Sequence, residues 1–492
     1  MARKPVKPTK SAPRSTSAIG SRASSRKPAP ILPGVRARQP LITPRAAGML
    51  KDLQEHPDAP RWNYTCGDRI AQDDLEALDA FREALFAQRK PGRPGPPGPA
   101  LIQRYAELIP KVEWLRSRIP PRADLERDWE TLPTMTREDL AVRIGEIMPD
   151  GCDLTPMVVY NTSGTTGHRI DIPNTPRGAS SYMALLDYAL AQHGVKPKFN
   201  DGQCGSFLLC AQAQTIMYAA VHAVWENSGF AKLNLNASVW PAEKAARYCK
   251  EFNPPVLCGD PVSFSEMRRL GLPLKPKALL STAMSLSPAL KQILERTYKC
   301  AVIDTYSSNE TGLIAYTCTQ GCFHILPHDL HVELLAPDGR QVKAGARGEI
   351  AVTGGRNPYV PLFRYRTGDW ARLESAPCKC GDAAPRLLDF EGRPPVLFRS
   401  ASGAPVNNVD ISRVLRMFPI VQHRFTQNKA GACELVARAM PGVDAGYLRG
   451  LEQALKDLLG KVPLKVRFDE KLGEAMRGGK VVPYASEMTL ER

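Results

Sequence analysis

The 492-residue chain has no run of 18 consecutive apolar residues, which argues against a membrane helix. The nearest approach is Gly202–Trp225, which lacks Lys, Arg, Asp and Glu but is interrupted by Gln203, Gln212, Gln214 and His222. It divides into a strand-like GSFLLC and a helix-like continuation over Thr215–Trp225, so a buried strand–helix pair is expected there. Acidic residues are missing from residues 1–50, which hold 11 Lys and Arg. Taking those 11 from the net charge of +16 leaves only +5 for the rest of the chain. The basicity therefore belongs chiefly to a tail rich in Ser, Pro and Ala, too poor in apolar surface to fold. Prolines spoil an amphipathic transit helix there, and no apolar secretory core is present, so the expected location is the cytoplasm. A Gly-Lys-Ser/Thr phosphate loop is also missing, which argues against P-loop phosphoryl transfer. No internal repeat is visible.

What is present suits a large globular protein. The length allows two or three folded units, and 43% of residues are hydrophobic. From Met157 to Tyr306, short strand-like runs alternate with helix-period segments, which predicts an α/β domain with a largely parallel sheet. Beyond Gly312 the spacing shortens to strands and turns, a β-rich subdomain. Past Arg393 the pattern reads as a separate, small α+β unit. The expected organisation is a basic disordered tail (1–50), a large N-terminal domain (51–393) and a small, mobile C-terminal lid domain (394–492).

Twelve cysteines in so large a chain, without a secretory signal, do not suggest a disulfide framework. Eight are scattered. Cys318, Cys322, Cys378 and Cys380 cluster in sequence with His324 and His328 nearby, and thiolates with imidazole are the ligands that tetrahedral Zn²⁺ takes. Cys318, His324, Cys378 and Cys380 are the favoured set, with Cys322 as a substitute for Cys318 and free thiols as the alternative.

The segments that carry chemistry come in a fixed order. TSGTTG (Thr162, Ser163, Gly164, Thr165, Thr166, Gly167) follows a strand, and its glycines let backbone N–H groups turn toward an anion while its hydroxyls add donors. YSSNETG (Tyr306–Gly312) follows another strand and should sit at the carboxyl edge of the sheet, where open α/β folds bind ligands. Asp369 in YRTGD offers a carboxylate suited to two hydroxyl donors. EGR (Glu391–Arg393) and GGK (Gly478–Lys480) complete the series.

This series, with LPTMTREDL (Leu132–Leu140) and STAMSLSPALKQIL (Ser281–Leu294), resembles the adenylate-forming, acyl-CoA synthetase-like superfamily over roughly residues 100–485. The closest resemblance is to phenylacetate-CoA ligase-like enzymes. The resemblance implies ATP, Mg²⁺ and coenzyme A as cofactors and an aromatic or small organic carboxylic acid as substrate. It places Thr162–Gly167 on the pyrophosphate side, Ser281 and Ser307 beside the nucleotide, and Tyr306 against adenine. Asn309 would lie near the α-phosphate, Glu310 would hold Mg²⁺, Asp369 the ribose, and Arg393 the ribose and phosphates. Lys480 would bind the carboxylate and the α-phosphate oxygens. A structural zinc like the one expected at the cysteine cluster also occurs among such relatives. The chain departs from the pattern at Pro394-Pro395-Val396, where an acidic hinge residue is usual, and at Gln212 and Gln214 in the acyl-pocket segment. The altered hinge keeps open an amine or a carrier-protein thiol as the acyl acceptor. A homodimer stays open as well. A nucleic-acid-binding zinc protein using the basic tail is the reading from another class, and it leaves the ATP-site segments without a role.

Overall fold

Five largely buried runs, Cys204–Cys210, Ser228–Asn234, Val256–Gly259, Ala278–Ser281 and Ala301–Ser308, form adjacent parallel strands in the computed structural model. Strands of this kind lose the apolar–polar alternation because both faces are covered. The structure describes residues 31–87, 96–161, 170–212, 214–326, 330–392, 396–443, 450–474 and 481–487. Three helices on this sheet, Pro176–Gln192, Pro261–Arg269 and Pro288–Tyr298, begin at the same local signal. Thr175, Asp260 and Ser287 each precede a proline, and their side-chain oxygens accept the N–H of Gly178, Ser263 and Leu290 at 3.0, 2.7 and 3.2 Å. The cap satisfies a donor left over at the helix start, and proline removes another.

Beyond Ala301–Ser308 the sheet changes character. Gly312–Thr317 returns antiparallel to it, followed across the sheet by Phe323–Ile325, Arg386–Gly392, Leu362–Glu374, Arg347–Gly354 and Leu330–Leu335, each antiparallel to its neighbour. The α/β part and the β-rich part thus share one twelve-stranded sheet. The architecture is mixed α/β, as the sequence pattern implies.

Two expectations are corrected. Thr215–Trp225 is not a helix: Tyr218–His222 is the edge strand, antiparallel to Ser228–Asn234, and a short 3₁₀ turn follows it. The run is apolar at nearly every position, so it carries no period that separates helix from strand. Glu226 and Asn227, both at φ +54°, reverse the chain into the next strand. The second concerns residues 31–50, which are not disordered. Pro33–Arg38 and Pro44–Glu55 are helical, and Ala46, Leu50 and Leu53 are buried in the core beside the parallel strands. That helix lies so close to the sheet that a Cβ on Gly229 would stand 2.9 Å from Leu53 Cδ1 and 3.0 Å from Met49 Cγ. Residues 1–30 lie outside the described residues.

The C-terminal unit has its own core of Phe398, Ile411, Phe425, Leu435 and Leu455. Its sheet pairs Ile420–Gln427 with Cys433–Ala439 antiparallel, flanked in parallel by Tyr484–Ser486 and Leu464–Phe468, with helices Asn408–Leu415 and Leu451–Leu459 packed alongside. The expected boundary at residue 393 falls among residues 393–395, outside the described residues. Among the described residues, no helix is long and apolar enough to cross a membrane.

The β-rich part is pinned by a charge pair without solvent. Arg364 and Glu333 are 0% and 1% exposed, and meet through Nε–Oε1 at 3.0 Å and an Nη–Oε2 contact at 3.2 Å. The guanidinium also donates to the carbonyls of Leu132 and Gly339 at 2.6 and 2.8 Å. This network ties the approach segment before Thr136 to the sheet, and it holds Arg364 at φ +43°, a strained setting for a non-glycine residue. Glu333→Gln should lower unfolding free energy by about 3–5 kcal/mol in urea titration, because it leaves the guanidinium buried without its counter-charge.

Candidate active site

The carboxyl ends of the central strands and the C-terminal unit enclose a cleft of about 2340 Å³, lined by Tyr306, Glu310 and Asp369 on one side and by Arg416, Gln422 and Val481 on the other. Arg416 donates to the Phe390 carbonyl at 2.7 Å and Gln422 reaches Met284 Sδ at 3.8 Å, so the two parts touch at the cleft wall.

Asp369 is aimed by a bulge that its own motif makes in the strand Leu362–Glu374. Gly368, at φ +81°, donates its N–H to Glu349 Oε1 at 3.1 Å, while Arg366 grips Glu349 Oε2 at 2.8 Å through Nε. Thr367 Oγ1 donates to the Ile350 carbonyl at 2.9 Å and accepts the Asp369 N–H at 3.1 Å. Arg366 is thereby a structural residue of the bulge. Tyr306 donates its hydroxyl to Asp369 Oδ2 at 2.8 Å, and its ring packs 4.5 Å from Phe390. Burial and the neighbouring Asp369 charge hold the Tyr306 phenol far above its ordinary pKa, so it stays a donor.

Glu310 is 6% exposed and carries two contacts on one oxygen: Tyr365 donates to Oε1 at 2.8 Å, and Arg137 reaches the same atom at 3.3 Å. Oε2 has no partner among the described residues, so the carboxylate is oriented while one oxygen stays available to a hard cation. Arg137 starts the helix Arg137–Val142, whose cap Thr136 forms a reciprocal box with Asp139. Asn309, next to Glu310, is exposed at the cleft. Ser307 Oγ lies 3.3 Å from both Tyr182 Oη and Thr282 Oγ1, a cluster of hydroxyls from three elements. Ser281 is fully buried, and its hydroxyl does not line the cleft. Its carbonyl accepts Thr305 Oγ1 at 2.7 Å, so it acts within the sheet.

Several expected residues lie outside the described residues: Thr162, Ser163, Gly164, Thr165, Thr166, Gly167, Arg393 and Lys480. Their neighbours do reach the cleft. Val158–Asn161 and Asp171–Asn174 pair antiparallel on either side of the TSGTTG segment, and Tyr160 and Asn174 line the cleft. Val481, next to Lys480, lines it too.

At the other end of the same strands, the ligand atoms of Cys318, His324, Cys378 and Cys380 all lie within 4.8 Å of one another. Cys380 Sγ is 3.3 Å from His324 Nε2, and Cys318 Sγ is 4.0 Å from Cys378 Sγ. Sulfurs on a tetrahedral zinc stand roughly 3.8 Å apart, so the donor set and its spacing fit that ion. His324 Nδ1 donates to the Ala384 carbonyl at 2.9 Å, which leaves Nε2 facing the sulfurs. The N–H groups of Gln320 and Asp382 donate to Cys318 and Cys380 at 3.4 Å each. Cys322 stands outside the cluster, beside Arg386 at 4.0 Å.

Sequence reasoning missed Tyr365 and Arg137 as the orienting partners of Glu310, Glu349 beneath Asp369, and Asp304. Asp304 lies on the strand that carries Tyr306 and accepts the Leu286 N–H at 3.2 Å, fixing the turn after Ser281 in which Ala283 sits at φ +68°. The other Asp304 oxygen is buried without a partner among the described residues. Only the spacing of Asp304 ahead of a ligand motif could have drawn attention to it.

No protein-family model matches the chain. Among curated proteins it is similar to Protein CapK of Staphylococcus aureus, with 23% identity over 346 residues, covering 66% of this chain and 71% of CapK. Among solved structures it is similar to 2-hydroxyisobutyryl-CoA ligase in the postadenylation state with R3-HIB-AMP. That match has a TM-score of 0.56 and 16% identity, over 84% of this chain and 89% of the ligase. The same ligase with 2-HIB-AMP gives the same values. At such low identity the likeness establishes the fold alone, the one this ligase has.

Burial pushes the Asp304 carboxyl up to about 7. Its contribution to stability is then fully present below pH 4 and lost as pH rises through 7, a change on the order of 4 kcal/mol. Urea titrations at pH 5 and pH 8 should show a smaller pH-dependent loss in Asp304→Asn than in the unaltered protein.

Proposed function

Starting from the fold of the adenylate-forming ligases, we propose that this protein activates a carboxylic acid with ATP and passes the acyl group to coenzyme A. The observation that carries the reading is the meeting, in one cleft, of Tyr306, Glu310, Asp369 and the residue beside Lys480. The acid's carboxylate attacks the α-phosphorus in line, forming an acyl-AMP anhydride as pyrophosphate leaves. The CoA thiol, losing its proton, then attacks the acyl carbon, and AMP departs. The carboxylate is already ionised, so the first step asks for positioning and charge compensation rather than a base.

In this reading Asp369 takes the ribose hydroxyls and Tyr306 with Phe390 borders the adenine. Ser307 and Asn309 face the α-phosphate, Thr162–Gly167 the pyrophosphate, and Arg393 the ribose edge. Glu310 Oε2 would hold Mg²⁺, which would supply positive charge against the phosphates. Lys480 would neutralise the charge that grows on the α-phosphate as the fifth bond to phosphorus forms. Residues 394–492 would act as the lid that carries Lys480 to and from the cleft. Zinc at Cys318, His324, Cys378 and Cys380 would be structural. The cluster joins the turn after Gly312–Thr317 to the one before Arg386–Gly392, and a closed four-ligand shell leaves no place for substrate.

Acid-dependent ATP–pyrophosphate exchange tests the first step. Lys480→Ala and Glu310→Ala should each lower exchange by about a hundredfold or more with the fold intact, the scale seen when one transition-state charge partner is removed. Full exchange in both variants would refute the assignment. Metal analysis of the purified protein should find one zinc per chain, and His324→Ala should lose both that zinc and thermal stability.

A further inference from the structure

Away from the nucleotide side, the cleft floor is the sheet face carrying Leu208, Cys210, Tyr218, His222, Phe230 and Lys232. All are alternate residues of three adjacent strands, so they share that face. Lys232 is the one charged residue of Ser228–Asn234 and stands in register with Leu208 on one side and Tyr218 on the other. It is half-buried, and no ion pair or hydrogen bond meets its amine among the described residues.

The two carboxylates that line the same cleft nearby are engaged elsewhere. Asp68 accepts the N–H groups of Ala223 and Ile70 at 2.7 and 3.3 Å, and Asp260 caps a helix through Ser263. His222 adds no charge, because burial pushes it down to about 4 and leaves it neutral at pH 7. A cation drawn partly out of water without a counter-charge is costly, and it is most simply explained by an anion that arrives with the ligand.

We propose that the acid activated here carries a second anionic group, a carboxylate, sulfonate or phosphate, at the end remote from the reacting carboxyl, and that Lys232 pairs with it. The inference rests on the adenylation reading and names the substrate class of that same site. The acid must be extended. Ser307 and Lys232 stand on strands four spacings apart, roughly 19 Å across the sheet at about 4.8 Å per spacing. An acid as short and apolar as phenylacetate would leave the half-buried amine unpaired.

Matched acids test this: octanoate against suberate, and 4-propylbenzoate against 4-(2-carboxyethyl)benzoate, each pair differing only in a terminal carboxylate. In ATP–pyrophosphate exchange the unaltered protein should show a KM at least about tenfold lower for the dianionic member. Lys232→Met should abolish that preference through KM, with kcat little changed and exchange on octanoate retained. Lys232→Arg should keep the preference, and melting curves should show both variants folded. Equal KM values in the unaltered protein, activity confined to acids with one charged group, or an unchanged preference in Lys232→Met would each overturn the inference while leaving adenylation standing. Absence of exchange with every acid would overturn the adenylation reading and this inference with it.

Discussion

The Ala301–Ser308 strand is the member on which the rest of the molecule depends, because it bonds a parallel neighbour on one side and an antiparallel one on the other. Parallel strands need covering helices and deliver their carboxyl ends to one edge; antiparallel strands return through short turns. Where the two regimes meet, the chain leaves the strand at its carboxyl end and turns through Asn309 and Glu310. The bulge at YRTGD reaches the same place from the antiparallel side, and Tyr306 bonds Asp369 across the junction. The ligand edge is thus assembled from both halves of one sheet, and neither half alone supplies it.

Charge is arranged around this edge with little left over. Glu310 is steadied through one oxygen by Tyr365 and Arg137, Glu349 serves the bulge beneath Asp369, and Arg364 with Glu333 locks the approach segment from below. Lys232 departs from this pattern, and it stands on the sheet face away from Tyr306, Glu310 and Asp369. The cysteine–histidine cluster sits at the opposite end of the same strands, so its effect on the cleft passes through the rigidity of the sheet.

Much of this was legible in the sequence. The alternation of strand-like runs and helix-period segments from Met157 to Tyr306 announced the parallel half of the sheet, with buried strands such as Ala278–Ser281 showing as apolar runs. Cys318, His324, Cys378 and Cys380 were readable as two short-spaced pairs of candidate ligands, with Cys318 preferred to Cys322, although only the fold brings the two pairs within reach of one another. Three features were not legible, for different physical reasons. Tyr218–His222 lacked a period, since a strand apolar on both faces resembles a buried helix. The helix Pro44–Glu55 was hidden by the charge of the tail before it. The partners of Glu310 come from Arg137 and Tyr365, so distant in sequence that only the folded chain unites them.

The central claim is that the acid's own oxygen attacks the α-phosphorus of ATP. Incubating a substrate acid labelled with oxygen-18 in its carboxyl group with ATP and coenzyme A tests it directly, by mass spectrometry of the nucleotide and phosphate products. Transfer of one labelled oxygen to AMP is the predicted result. Label appearing in inorganic phosphate with ADP as the nucleotide product, or AMP formed without label, would contradict it.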